Sequence, residues 1–190
     1  LDITQDAIKF CEKRKINENV WKTFFVCKEG KYCNRLIIPF YDKEKKPYYF
    51  IGRSLYLNEP KYLGMEGEKK PYNLYNIQRD KPVICLEGPI DSLFVDNSIA
   101  LSGLSFSSET EKHLEGLDVY YLLDSDPSGR KKSIDLLEKR IHVFNWYKFQ
   151  KDLCLPRREK WDFNDVVLYL NKEEKFTFDE LKKYFTNNYH

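Results

Sequence analysis

The sequence predicts an α/β fold in which a parallel sheet is flanked by helices, with a smaller N-terminal α+β lobe and C-terminal helices. Two observations lead to this prediction. From residue 81 onward, short apolar runs alternate with segments of helical periodicity, which is the order of a parallel sheet. Two of those runs end abruptly at carboxylates. We therefore expect a basic α+β lobe over residues 1–80, an α/β domain over 81–170 and a C-terminal helix or linker over 171–190.

The N-terminal lobe begins with a predicted amphipathic helix over residues 2–13, where apolar side chains recur at helical spacing. Apolar runs over 35–41 and 47–53, joined by five charged residues, predict a β-hairpin. Residues 56–80 lack clear periodicity and are expected to form a connector rich in loops.

The first unit of the α/β domain is centred on Glu87. Residues 82–86 form a continuous apolar run with the length of a strand buried on both faces. Glu87 follows at its carboxyl end, where Gly88 permits a tight turn and Pro89 suits the first position of a helix. This pattern predicts a strand, a turn and a helix, with a carboxylate at the edge of the sheet.

Later segments continue the alternation. Residues 98–102 predict a second strand, followed by a helix for which Ser107 and Ser108 are N-cap candidates, with Glu111 completing a capping box with Ser108. A fourth strand is expected over 142–147, and the last helix over 178–185.

The third predicted strand, over 119–123, ends at Asp124 and Asp126. Because the carboxyl ends of parallel strands share one edge, these side chains are expected to meet Glu87 there. Carboxylates so close together repel one another unless a cation lies between them. Oxygen ligands of this kind suit Mg²⁺ or Mn²⁺, so the residues predict a metal-dependent phosphoryl-transfer site.

Charge is distributed unevenly along the chain. The net charge is only +2, but residues 28–70 carry ten Lys and Arg against six Asp and Glu, and residues 129–160 carry ten against four. Two basic segments thus flank the acidic centre in sequence, which favours a polyanionic ligand. Five cysteines without a C-x-x-C pair argue against a disulfide framework or a complete zinc ribbon.

The acidic motifs resemble a known domain family. E-G-x-x-D after a strand (87–91), followed by a strand ending in D-x-D and a later glycine (124–129), resembles the TOPRIM domain of bacterial-type primases, type IA and II topoisomerases and some nucleases. Upstream blocks resemble, in the same order, those that precede TOPRIM in the catalytic core of DnaG-type primases; they lie at 35–40, 52–55, 60–63 and 71–76.

This resemblance implies a TOPRIM-type sheet and a DNA primase core that synthesises short RNA primers with Mg²⁺ or Mn²⁺. Glu87, Asp124 and Asp126 are the implied catalytic and metal-binding residues. The segment 160–165 resembles a lysine-aspartate motif that closes many such domains, so Asp162 and Asp165 are candidates for a second metal; a helix N-cap is the alternative. Binding of nucleic acid or nucleotide is implied for Arg35, Arg53, Lys61, Asp91 and Gly103.

The implied partners are a single-stranded DNA template, nucleoside triphosphates, the RNA primer and a replicative helicase, fused or separate. The sequence has no eighteen-residue apolar run and no signal peptide, so we expect no membrane partner and a cytoplasmic place at the replication fork of a bacterial or phage-infected cell. Three alternatives stay open: phosphodiester cleavage by a TOPRIM nuclease or topoisomerase, a receiver-like domain, and a non-catalytic nucleic-acid-binding module.

Overall fold

The computed structural model describes residues 3–56, 60–105 and 107–188. Contacts within the chain divide it into an N-terminal unit, Leu1–Lys69, and a C-terminal unit, Lys70–His190. The functional boundaries expected at residues 80 and 170 stay a prediction.

The N-terminal unit contains two helices and an antiparallel sheet. The described elements are α1 (Ile3–Lys13), α2 (Glu18–Trp21), β1 (Phe25–Cys27), β2 (Arg35–Tyr41), β3 (Pro47–Ser54) and β4 (Tyr62–Gly64), with a 3₁₀ turn at Gly30–Tyr32. The sheet has the order β1-β2-β3-β4. The predicted hairpin is confirmed as β2 and β3, whereas β4 was missed because three residues are too few to carry a periodic pattern.

Local hydrogen bonds explain why the hairpin turns where it does. Asp42 Oδ1 accepts hydrogen bonds from the backbone nitrogens of Glu44 at 2.9 Å and Lys46 at 2.8 Å. Such an aspartate turn supplies partners to backbone groups that the strands leave unpaired.

The C-terminal unit contains a mainly parallel sheet and helices. The described elements are β5 (Val83–Leu86), α3 (Pro89–Ser92), β6 (Ser98–Ala100), α4 (Ser108–Leu114), β7 (Val119–Leu122), α5 (Pro127–Glu138), β8 (Val143–Phe144), α6 (Trp146–Asp152), α7 (Phe163–Leu170), α8 (Phe178–Leu181) and β9 (Phe185–Thr186). The sheet order is β6-β5-β7-β8-β9; pairing is parallel except between β8 and β9.

Burial along β5 accounts for its apolar run. All four of its residues are at most 1% exposed, as expected for an inner strand covered on both faces. The α/β class and the parallel sheet are therefore confirmed. None of the helices within the described ranges combines the length and the apolarity needed to cross a bilayer.

Three local predictions were wrong. The expected strand over 142–147 is short, because α6 begins at Trp146 with Asn145 as its N-cap. The expected helix over 178–185 gives way to a 3₁₀ turn and to β9, which pairs with β8. The N-cap of α4 is Ser107, whose Oγ accepts from the Thr110 nitrogen at 3.3 Å, so the capping box of Ser108 and Glu111 does not form.

Phe149 on α6 is expected to be a main contributor to the stability of the C-terminal unit. Its side chain is 1% exposed, and its ring lies 5.0 Å from that of Phe144 and 4.9 Å from that of Tyr184. We expect Phe149→Ala to lower the free energy of unfolding by about 3–5 kcal/mol in urea denaturation, because it leaves a cavity. Tyr147→Ala, on the same helix but 76% exposed, should change it by less than about 0.5 kcal/mol. Equal losses in the two variants would contradict this assignment.

Candidate active site

The predicted carboxylates follow two neighbouring strands. Leu86 at the end of β5 is paired in register with Leu122 at the end of β7, so Glu87 and the Asp124 segment leave the sheet at the same edge. Asp124 is 19% exposed at its side chain, whereas Glu87 is 24% exposed. The structure thus brings the acidic trio to one edge, partly shielded from water.

Lys160 joins two of these carboxylates. Its Nζ lies 2.8 Å from Asp124 Oδ2 and 2.8 Å from Asp126 Oδ2. Asp126 is also the N-cap of α5, because its Oδ1 accepts from the Gly129 nitrogen at 2.9 Å. Asp126 therefore combines a helix-capping role with a charge pair.

The pKa values of these groups reflect two opposing effects. Burial disfavours the charged form of each group, whereas pairing with an opposite charge favours it. Burial raises the pKa of Asp124 above its ordinary value; the bond from Lys160 opposes this, while the charges of Glu87 and Asp162 add to it. Burial also acts on Asp126, but the bonds from Lys160 and Gly129 outweigh it and lower its pKa. Burial would lower the pKa of Lys160, yet its two aspartate partners raise it, so the lysine stays charged.

Glu87 pairs with a different lysine, and one of its two carboxylate oxygens has no hydrogen-bond partner among the described residues. Its Oε2 accepts a hydrogen bond from Lys132 Nζ at 2.9 Å. Its Oε1 is buried and has no hydrogen-bond partner within the described ranges. A buried carboxylate oxygen without a partner is costly, so this atom is oriented for a ligand.

Gly129 allows the two acidic loops to approach each other. A Cβ at this position would overlap the backbone oxygen of Asp124 and lie 3.0 Å from Glu87 Oε1. The first turn of α5 can therefore pass directly beside the Asp124 backbone and the Glu87 carboxylate only because residue 129 has no side chain.

The segment carrying Lys160 is tied to the loop after β7. Ser125 Oγ accepts from the Trp161 nitrogen at 2.6 Å, and the Ser125 nitrogen donates to the Trp161 oxygen at 3.0 Å. The Trp161 side chain is fully buried. Two backbone segments distant in sequence are thereby held side by side, which places Lys160 between its aspartates.

Asp162 and Asp165 lie at the start of α7. Asp162 is its N-cap and accepts from the Asp165 nitrogen at 2.8 Å, as the capping alternative expected. Asp162 is also close enough to influence the pKa of Asp124. Binding of a second metal by Asp162 or Asp165 stays a prediction.

Asp91 and Gly103 occupy the neighbouring turns. Asp91 Oδ1 accepts from the Asn164 nitrogen at 2.9 Å and so ties α3 to the first turn of α7. Gly103 has φ +85°, a left-handed conformation that favours glycine after β6. Their predicted contacts with nucleotide stay predictions.

The three predicted basic residues belong to the N-terminal unit. Arg35 is 6% exposed, and its Nη1 donates to the carbonyl oxygens of Gly52 at 3.2 Å and Pro60 at 2.8 Å. The guanidinium of Arg53 lies 5.0 Å from the ring centroid of Tyr62, and Lys61 Nζ lies 5.9 Å from the same centroid. Arg35 thus stabilises its sheet, while phosphate binding by all three stays a prediction.

A metal ion fits the donor chemistry of the acidic edge. Within residues 3–56, 60–105 and 107–188, no group of three or more His, Cys, Asp or Glu side chains is arranged to hold a metal ion. Lysines pair with the carboxylates of the acidic edge. The buried Glu87 Oε1 and the raised pKa of Asp124 nevertheless favour a further cation. All the candidate ligands are carboxylate oxygens, which Mg²⁺ prefers.

Sequence reasoning missed Lys132 and Lys160 as members of the site. The lysine-aspartate motif at 160–165 contained a signal for Lys160, but it does not specify a partner. Lys132 lies on α5 one helical turn after Ser128, within the run Arg130–Lys132, and nothing in that run distinguishes it from its basic neighbours.

Comparison with known proteins gives one similar sequence and several similar structures. The chain is 29% identical to the DNA primase of Enterobacteria phage T4 over 202 residues, covering 95% of this chain and 55% of that protein. No protein-family model matches. The chain spans about half the length of the curated relative that it matches.

Similar solved structures identify the fold of the chain. The RNA polymerase domain of Mycobacterium tuberculosis DnaG superposes with a TM-score of 0.70 at 15% identity, covering 98% of this chain and 78% of that one. A DnaG catalytic domain bound to ssDNA gives 0.69 at 17% identity, with coverages of 98% and 73%. The E. coli primase catalytic core gives 0.66 at 19% identity, with coverages of 96% and 74%.

The chain has the fold of a DnaG primase catalytic core. The family resemblance drawn from the acidic motifs is thereby confirmed at the level of the fold. In this primase-core fold, the two motifs occupy the ends of β5 and β7, and the upstream blocks at 35–40 and 52–55 occupy β2 and β3.

Gly129→Ala offers a test of the close approach at the site. In most helices Gly→Ala is stabilising by up to about 1 kcal/mol. Here we expect the opposite sign, a loss of about 1–3 kcal/mol in the free energy of unfolding, because the new Cβ overlaps the Asp124 backbone. Ser128→Ala, at the exposed neighbouring position, should change it by less than about 0.5 kcal/mol. Thermal or urea denaturation of both variants is decisive, and a stabilised Gly129→Ala would refute the packing.

Proposed function

We propose that this chain is the polymerising core of a DNA primase, which joins ribonucleotides into short RNA primers on a single-stranded DNA template. The observation that carries the proposal is the acidic trio of Glu87, Asp124 and Asp126 at the carboxyl edge of β5 and β7. The sequence similarity to a phage DNA primase and the primase-core fold support it.

Glu87, Asp124 and Asp126 would hold one or two Mg²⁺ or Mn²⁺ ions. When bound, such an ion supplies charge neutralisation for the triphosphate and a lower pKa for the attacking 3′-hydroxyl. Lys132 and Lys160 balance the carboxylates, and their positive charge also suits triphosphate oxygens. Gly129 leaves room for this group of charges beside α5.

Template and nucleotide would be bound by basic residues of the N-terminal unit and by the turn residues Asp91 and Gly103 of the C-terminal unit. Arg53 and Lys61 supply cations for phosphate in the N-terminal unit. Base pairing with the template selects each nucleotide, so the protein needs no base-specific contacts for that choice. A replicative helicase, fused or separate, is the proposed protein partner, and the replication fork is the proposed place of action.

Primer synthesis is the direct test. We expect the chain to make short labelled products from nucleoside triphosphates on single-stranded DNA of mixed sequence with Mg²⁺ or Mn²⁺. Glu87→Gln and Asp124→Asn should each lower the rate by at least about a hundredfold, because they remove charge that holds the metal. Asp135→Asn, an exposed carboxylate on α5, is the matched control and should keep full activity.

Each other outcome has a specific meaning. Shortened template without new product would show that the chain cleaves phosphodiester bonds instead of synthesising primers. Mn²⁺ binding in calorimetry that is lost in Asp124→Asn, without either activity, would leave a metal-binding module that lacks polymerase activity. Full synthesis by both variants would refute the assignment of the trio.

A further inference from the structure

A pocket of about 440 Å³ adjoins the acidic edge in the C-terminal unit. It is formed by α5, β8 and the first residues of α6, and Asp124 is part of its wall. Its volume lies within the range of about 300–1,000 Å³ that is usual for small-molecule sites. Apart from Asp124, the residues that line it have no role in the function proposed above.

Two of its side chains are unusually exposed for their type. Tyr147 is 76% exposed and Ile134 is 48% exposed. Among the residues that the structure describes, the large hydrophobic side chains with such exposure are those of Phe25, Ile134, Tyr147 and Tyr169, so half of them line this one pocket. A cluster of exposed apolar surface in a concave site indicates a ligand rather than chance exposure.

Trp146, in the aromatic wall, is anchored directly before Asp124. Trp146 Nε1 donates a hydrogen bond to the Leu123 oxygen at 2.7 Å. The Trp146 ring also lies 5.2 Å from that of Phe144 and 6.0 Å from that of the buried Phe149. A ligand therefore meets a preorganised surface, which lowers the entropic cost of binding.

The charges in the pocket wall allow one phosphate to bind. Arg130 and Asp124 are the charged side chains among its lining residues. Arg130 lines the pocket and is exposed. The negative charge of Asp124 in the wall is offset by its bond to Lys160. An exposed tyrosine beside an arginine is the combination with which proteins stack an unpaired base and bind its phosphate.

We propose that this pocket binds one unpaired nucleotide of single-stranded DNA, with its base on Tyr147 and its phosphate near Arg130. A free triphosphate fits less well, because the described wall residues offer it one arginine for three phosphates. The inference rests on the proposed function in one respect: the bound strand is the template, held beside Asp124 as it approaches the acidic trio.

Affinity for a short single-stranded DNA of mixed sequence tests the pocket without any primer synthesis. Fluorescence anisotropy with the whole chain, in the absence of metal and nucleotide, gives the dissociation constant. Tyr147→Ala should weaken binding at least about fivefold, whereas Tyr147→Phe should stay within about twofold, because it keeps the stacking ring. The urea experiment on Tyr147→Ala described above verifies that this variant folds.

Arg130→Ala tests the phosphate contact independently. It should weaken binding and lower the slope of log affinity against log salt by about 0.7, the value for one phosphate contact on a single strand. Lys139→Ala is the matched control, since Lys139 follows the same helix but pairs with Glu111 at 3.7 Å. It should leave both the affinity and the slope unchanged.

The outcomes separate this inference from the proposed function. Native DNA affinity in Tyr147→Ala refutes the pocket, whatever the primer-synthesis assay gives. Weakened DNA binding in Tyr147→Ala, in a chain that makes no primer, supports the pocket and counts against the proposed function alone. Unchanged DNA affinity with a raised KM for nucleoside triphosphate would show that the pocket holds free nucleotide, which also overturns the proposal.

Discussion

Repulsion between carboxylates at one edge of a sheet is the constraint on which the arrangement of the C-terminal unit depends. Glu87 and Asp124 follow adjacent parallel strands, so backbone pairing alone brings their charges together. The fold balances this charge with two lysines from different segments: Lys132 on α5 and Lys160 before α7. Such a site would suit the proposed metal and triphosphate, because the metal can pair with the carboxylates while the triphosphate pairs with the lysines, which leaves neither set of charges unpaired.

Short polar links hold the loops that carry these charges. The bonds between Ser125 and Trp161 attach the Lys160 segment to the loop after β7, and the bond from the Asn164 nitrogen to Asp91 attaches α7 to α3. Each link satisfies a backbone group that would otherwise be buried without a partner. The site is therefore positioned by backbone contacts, while its charged side chains remain able to exchange partners. The pocket beside Asp124 shares this support through the bond between Trp146 and the Leu123 oxygen.

Elements with a strong local signal were predictable. The hairpin of β2 and β3 has two long apolar runs, and β5 has four residues buried on both faces, so pattern and burial agree. The bounds of β8 and the presence of β9 were not predictable, because these strands contain two residues each and depend on pairing with each other. Phe185 continues a helical pattern in sequence, yet its ring packs 5.4 Å from that of Phe144 across the two strands. Tertiary packing therefore overrode local propensity there.

By itself, the sequence determined the class of fold and the positions of Glu87, Asp124 and Asp126 after strands, because strand length, apolarity and the residues that end a strand are local properties. Only the tertiary structure decided which cation balances which carboxylate. Arg130–Lys132 presents three basic residues in succession, and helix geometry selects Lys132 for Glu87. Arg130 lines the pocket together with Tyr147, which lies seventeen residues later in the chain. Contacts between residues distant in sequence leave no local pattern, so charge partners and pockets emerge only when the chain has folded.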